Sequence, residues 1–350
     1  MFQRKVQKTG GSTYFVTLPK EWADEVGIKP QATVNLIPSD SGALLLVPEG
    51  LPARNRCTVT IGEWGFDRLQ REIIARYIVG FDVIDVESDK IRTEQRRMVR
   101  QIAQGLVGLE IYDESQKTIT LHALVNVRDF PVERTLRRTF DIADAMVADA
   151  VSAFCQRDAE LARDVVERDD DVDRLALLVA RQYSLLLRDL VMEEDYGLSR
   201  LEFSNYNAVV DQLERVADHA GKISEATLAL ETPVRKAAAA EVAARAENAR
   251  DIVKRAVQSF VDQSADLANE VLADRESGER LFSVTRRAIG DKHPEEAPSI
   301  SIVLDSLLRV REYGFNIAEH ALDVPAATHL RGAGKAPRAA KADYPNRPER

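Results

Sequence analysis

The chain has 350 residues, 45% hydrophobic and 30% charged, which is too long for one ordinary domain and enough to build two or three cores. No stretch approaches the ~18 consecutive apolar residues of a membrane span, and the opening MFQRKVQKTGG lacks the apolar core of a signal peptide, so a cytoplasmic protein that is not membrane-embedded is expected. The net charge of −9 is unevenly spread: residues 1–20 hold Arg4, Lys5, Lys8 and Lys20 and no acid, so they carry +4 and the remainder −13. That pattern places a basic, anion-binding segment at one end of an acidic chain that otherwise repels nucleic acid.

Residues 3–48 read as a compact β unit. The strands RKVQKTG and TYFVTLP flank the turn GGST, whose glycines permit tight backbone. Pro19 stands at the start of a short helix, KEWADEVG, closed by Gly27. ATVNLIP and ALLLVP are two more strands around SDSG. So short a unit, taken as a domain over 1–50, has too little material for a core of its own and is expected to dimerise.

Residues 54–127 alternate as β-α-β-α-β-β, the pattern of a small α/β domain. CTVTI and FDVIDVES are strands, FDRLQREIIARYIVG and RTEQRRMVRQIAQ are helices, and GLEIYDES with TITLHALV closes a hairpin. Gly105 and Gly108 do not make a GxGxxG loop, so no nucleotide or other organic cofactor is expected. Cys57 and Cys155 lie far apart without a CxxC partner, and two reduced thiols are expected.

From Phe130 to Asp323 the apolar residues recur every three to four positions. Val132, Leu136, Phe140, Ala143, Val147, Ala150 and Phe154 form one stripe, and Phe203, Tyr206, Val210, Leu213, Ala217 and Ala220 another. Breaks at 156–158, 195–199, 232–233, 263–264 and 293–298 divide the region into about six helices. The tail 331–350 has no periodicity and is expected to be disordered.

The helical half repeats itself. Ala159-Glu160-Leu161-Ala162 with Val165 matches Ala265-Asp266-Leu267-Ala268 with Val271, and Arg174-Leu175 matches Arg280-Leu281, all at an offset of 106. Arg215, Val216, Ile223, Glu225 and Leu228 match Arg309, Val310, Ile317, Glu319 and Leu322 at an offset of 94. The expectation is two three-helix bundles, 130–230 and 233–323. The fold class is therefore a multidomain α+β protein: a small β head, a central α/β domain and an all-α tandem repeat.

In the first copy Asp169 and Asp173 are four apart and share a helix face, as do Glu214 and Asp218. If their helices are neighbours, four carboxylates converge at the edge of the core. Such oxygen ligands suit a divalent or iron-type ion; without one, mutual repulsion raises their pKa values. Acid pairs at this spacing are also common on solvated helix faces, and spacing alone leaves both readings open. His219 lies about 100° round the helix from Asp218 and reads as a boundary residue.

VVERDDDVDRL and QLERVADHAGKISE resemble the signature helices of the PhoU family of phosphate-uptake regulators. The resemblance covers roughly 130–323. It implies tandem three-helix bundles, a surface metal site at Asp169, Asp173, Glu214 and Asp218, and work alongside phosphate-transporter components. In the second copy Arg275 and Glu279 stand opposite Asp169 and Asp173, and Leu308 and Glu312 opposite Glu214 and Asp218, so at most one site is expected.

RKVQKTGGSTYFVTLPKEWADEVGIKPQATVNLIP with GALLLVP is similar to the AbrB/MazE/SpoVT swapped-hairpin family, whose members interlace two chains and contact DNA. Gln31 follows Lys29-Pro30 where the pattern usually has glycine, so that turn is expected to differ in shape. Arg4, Lys5, Lys8 and Lys20 would neutralise phosphates, and Thr9, Ser12 and Thr13 would donate hydrogen bonds to them. A PhoU-like body behind such a head resembles archaeal-type phosphate regulators. The reading implied is a non-enzymatic, homodimeric DNA-binding regulator of phosphate uptake. The alternative is an adaptor on a phosphate transporter or kinase, with the head serving only to dimerise.

Overall fold

The computed structural model describes residues 2–11, 13–38, 43–48, 55–124, 129–188, 196–275, 282 and 297–333. The chain forms two compact units, Met1–Arg54 with Ala333–Arg350, and Asn55–Gly332.

In the first unit β1 (Gln7–Thr9) and β2 (Thr13–Phe15) pair antiparallel. Gly10 and Gly11 turn the chain at φ of 58° and 83°, a region glycine enters without steric cost. These strands are shorter than the sequence pattern suggests, because 4–6 and 16–18 join no ladder among the described residues. Helix α1 (Lys20–Glu25) follows Pro19. β3 (Val34–Pro38) and β4 (Leu44–Pro48) then pair antiparallel from Val34↔Pro48 to Pro38↔Leu44. Among the described residues of 2–48, only Pro48 is buried. Tyr14, Val16, Leu36 and Leu44 are each more than half exposed.

The second unit opens with a four-stranded sheet: β5 (Arg56–Thr60), β6 (Val83–Glu87), β7 (Leu109–Glu114) and β8 (Thr118–Ala123). Its order is β5-β6-β8-β7. β5 and β6 run parallel, joined through helix α2 (Phe66–Val79), and β8 is antiparallel to both neighbours. Helix α3 (Thr93–Gln104) connects β6 to β7. Alternate strand residues Val59, Ile84, Val86, Ile119 and Leu121 share one core with Leu69, Ile73 and Tyr77 of α2 and Val99 and Ile102 of α3, as period-2 strands under period-3.6 helices require.

The remaining described elements are helices: α4 (Val132–Gln156), α5 (Ala159–Arg188), α6 (Arg200–Leu228), α7 (Lys236–Val261), α8 (Ala265–Ala273) and α9 (Ala297–Ala333). The α4–α6 helices pack on one another, α4 also meets α7, and one apolar core runs through all six. The last helix extends ten residues past Asp323, where expectation ended it. The Ala-rich stretch after Pro325 has high helix propensity. Of the tail expected to be disordered, 334–350 lies outside the described residues.

The turn geometry repeats with the sequence. Arg157 and Gln263, 106 apart, are both left-handed at φ 55° and 51°, and each precedes a polar cap. Asp158 Oδ1 accepts from the backbone of Glu160 and Leu161 at 3.0 Å, and Ser264 Oγ accepts from Leu267 N at 3.3 Å. Both first-to-second helix turns reverse the chain in the same way.

Helix α5 belongs to two packing surfaces. Val165, Val172, Val179 and Leu186 face the helical core, while Leu177 packs into the core of the sheet domain. Arg181, 4% exposed, donates to the carbonyls of Tyr77 and Phe81 at 2.6 and 2.9 Å, and lies 3.4 Å from Asp82 Oδ1. Its guanidinium also sits over the Tyr77 ring, 4.9 Å from the centroid. Arg188 donates to the Val79 carbonyl at 3.0 Å. Two arginines of α5 thus donate to carbonyls at and just past the C-terminal end of α2, where the dipole favours cations; the Tyr77 carbonyl also accepts from Gly80 N at 3.1 Å.

Candidate functional sites

The acidic ridge is held by α5 and α6. Val172 between Asp169 and Asp173, and Leu213 and Ala217 beside Glu214 and Asp218, are fully buried. This fixes the carboxylates at the core's edge, where all four are half-buried. Burial pushes the Asp169 carboxyl up to about 6, helped by the charges of Asp173, Asp218 and Asp170 and opposed by Lys222. Burial also pushes Glu214 up to about 7, with Asp218, Asp173 and Asp211 adding to it. Asp173 is raised for the same reasons, by burial and then by Asp218 and Asp170. The expected repulsion is present, and desolvation is the larger cause. Asp169 Oδ1 is buried and accepts no hydrogen bond.

The donor set is of the kind a divalent cation takes: four carboxylates at the core's edge, with Asp169 Oδ1 accepting no hydrogen bond. The ligand shell is not preformed, however. Among the described residues, no three His, Cys, Asp or Glu side chains are gathered closely enough to hold one ion. His219 is half-buried beside Tyr313 (ring centroids 5.7 Å apart) and has no partner at Nδ1. Burial, with Lys222 and Arg309 nearby, pushes its pKa down to about 4.

In the basic unit Arg4, Lys5, Lys8, Thr9, Thr13 and Lys20 are all exposed; Ser12 lies outside the described residues. Lys8 and Tyr14 are cross-strand partners, with Lys8 Nζ 5.8 Å from the ring centroid. Thr9 and Thr13 face each other across the two-glycine turn, so the hairpin tip offers hydroxyls and unshielded backbone beside cationic groups. The turn at Gln31 does not depart from the glycine-type shape: Gln31 itself adopts φ 71°.

Comparison with known proteins agrees with this architecture. The family model "PhoU domain" matches residues 136–227, and that of "Antidote-toxin recognition MazE, bacterial antitoxin" matches 7–53. A phosphate-specific transport system accessory protein PhoU homolog from Pseudomonas putida is 28% identical over 201 residues, 55% of this chain and 77% of that protein. PhoU homolog 1 of Thermotoga maritima is 25% identical over 197 residues, covering 52% and 81%. The crystal structure of PhoU from Pseudomonas aeruginosa superposes with a TM-score of 0.50 at 23% identity, over 58% of this chain and 99% of that one. The helical body thus has the fold of a phosphate-transport accessory protein. The chain carries a PhoU domain together with an N-terminal MazE/AbrB-like domain.

The structure also brings forward residues that the sequence pattern did not single out. Arg181 and Arg188 join the sheet domain to the helical body. Their signal was a second stripe on α5, Leu177, Arg181 and Leu185, offset from the stripe that faces the bundle.

Proposed function

We propose that the chain is a non-enzymatic, cytoplasmic regulator of phosphate uptake that acts on DNA as a homodimer. The observation that carries this reading is the union, in one chain, of a PhoU domain with an exposed basic MazE-like unit. Dimerisation is supported by the exposed apolar side chains of the first unit, Tyr14, Val16, Leu36 and Leu44 among them, which a second copy would cover. Arg4, Lys5, Lys8 and Lys20 neutralise backbone phosphates, and Thr9, Ser12 and Thr13 fix the register. The helical body carries the input. In this reading Asp169, Asp173, Glu214 and Asp218 close around a divalent or iron-type ion, which relieves the charge now concentrated there.

Binding of the full chain to fragments of phosphate-transporter promoters, titrated with salt, tests the DNA role. Up to four cations per copy give a log–log slope no steeper than about −7 for a dimer. A flat slope, or no binding at any salt, overturns it. The relatives' description as transport accessory proteins favours a second reading, in which the body acts on a transporter component and the head only dimerises. That reading predicts dimers without salt-dependent DNA binding.

A further inference from the structure

The two copies of the helical repeat are not electrically alike. The repeat register puts Arg275 where the first copy has Asp169, and Glu312 where it has Asp218. The structure places them accordingly. Asp169 feels the charge of Asp218 across the α5–α6 pair. Arg275, just past the end of α8, faces Glu312 of α9 with Nε 3.9 Å from a carboxylate oxygen. Its Nη1 lies 3.2 Å from Glu319, the counterpart of Glu225. A guanidinium therefore stands among the acids of the second copy, where the first copy has the carboxylate of Asp169.

This placement is supported from below. The Arg275 guanidinium lies over the Phe315 ring, 5.0 Å from the centroid, and Arg311 lies over the same ring at 4.6 Å. Arg311 is 1% exposed and donates to the carbonyls of Arg275, at 3.2 Å, and Asp274. The buried arginine thus anchors the backbone of Arg275, and the shared ring sets its side chain towards Glu312 and Glu319. A planar, permanently charged fork suits two carboxylates seven residues apart, two turns along one face of the same helix.

We propose that Arg275 is a built-in substitute for a bound cation and, with Leu308 standing in the place of Glu214, denies the second copy a metal site. It supplies the positive charge Glu312 and Glu319 require, and it removes the oxygen donor that Asp169 provides in the first copy. A divalent ion arriving there would lack two carboxylates of the first copy, replaced by Arg275 and Leu308, and meet a fixed positive charge a few ångströms away. The proposal rests on the reading of the first copy as a metal site only for its contrast between copies.

The test uses the full chain, stripped with chelator and titrated with Mn²⁺, reading bound ion per chain by dialysis and the melting midpoint in parallel. Arg275→Asp restores a carboxylate; it should bind one further Mn²⁺ per chain and melt about 2–4 °C lower without metal, regaining that loss as Mn²⁺ is added. Arg275→Gln removes the charge without adding a carboxylate. It should melt lower without metal, whereas Arg275→Lys should retain most of the wild-type midpoint. Arg275→Asp binding no more Mn²⁺ than wild type, or Arg275→Gln melting at the wild-type midpoint in chelator, overturns the proposal. The two readings separate cleanly. If wild type binds no Mn²⁺ but Arg275→Asp binds one, the first-copy site fails and the Arg275 assignment stands; if each binds one, the reverse holds.

Discussion

Substituting Glu214 by Gln should make the metal-free chain more stable at pH 8. The carboxyl of Glu214 is pushed from 4.5 up to about 7, first by burial and then by Asp218, Asp173 and Asp211, with Arg215 opposing. A carboxyl raised in the folded state contributes stability that is complete below its unfolded pKa and is lost as pH rises through the folded one. The window is therefore roughly pH 4.5–7, and above it the folded chain carries an ionised group it disfavours. At about 1.4 kcal/mol for each pH unit, the ceiling is about 3 kcal/mol. Glu214 is only half-buried, so solvent screening reduces this to about 1–2 kcal/mol. Urea unfolding in chelator at pH 8 and pH 4 measures it. Glu214→Gln should gain about 1–2 kcal/mol at pH 8 and nothing at pH 4. Equal stability at pH 8, or the same gain at both pH values, would refute the argument that desolvated charge accumulates on this ridge. Added Mn²⁺ should stabilise wild type more than the variant, because the variant lacks one anionic ligand.

Four further outcomes follow from the same geometry. Arg181→Met leaves the Tyr77 and Phe81 carbonyls without their buried donor; a loss of about 2–4 kcal/mol should appear as a sheet-domain transition separating from the helical one in calorimetry. Gly80→Ala places a Cβ 2.6 Å from Leu185 Cδ2 at φ +98°, and should cost at least about 2 kcal/mol by strain and overpacking. Gln31→Gly should stabilise the N-terminal unit by about 0.5–1 kcal/mol, since glycine holds the left-handed backbone at φ 71° without the Cβ penalty; thermal melts of the two chains would show it. If the unit binds DNA as a dimer, Lys8→Ala should make the log–log salt slope shallower by about 2, one phosphate contact for each copy.

Much of this architecture was legible because it rests on periodicity. The stripe from Val132 to Phe154 and the alternation in 54–127 each state which face is buried, and backbone hydrogen bonding leaves little choice of element. The carboxylate pairs were legible for the same reason: a spacing of four places Asp169 beside Asp173 whatever else the helix touches. Two features were not. A Gln at φ 71° is invisible to a rule that assigns such turns to glycine, because the cost of about 1–2 kcal/mol is tolerated where the turn is closed by the bond from Ala32 N to the Lys29 carbonyl. The docking of α5 on α2 was hidden because a single helix here serves two cores, and the commoner explanation of an Arg between leucines is solvent exposure.

That docking bears on how a signal could travel. Asp169 and Asp173 lie in the first half of α5, and Arg181, Leu185 and Arg188 in its second half, so one rigid rod carries both the acidic ridge and the contact with the sheet domain. The cleft between them is walled by Glu167, Asp170, Asp173 and Arg174 from α5 and by Gln70, Ile74, Gln101 and Gln104 from α2 and α3. Asp173 therefore touches both the ridge and the cleft. Gly80 packs closely on Leu185, where a Cβ would lie 2.6 Å from Cδ2, so this end of the junction is tightly packed. Tight packing of this kind transmits small shifts instead of dissipating them, and the path from the acidic ridge towards residue 55 runs through a helix terminus held by two arginines.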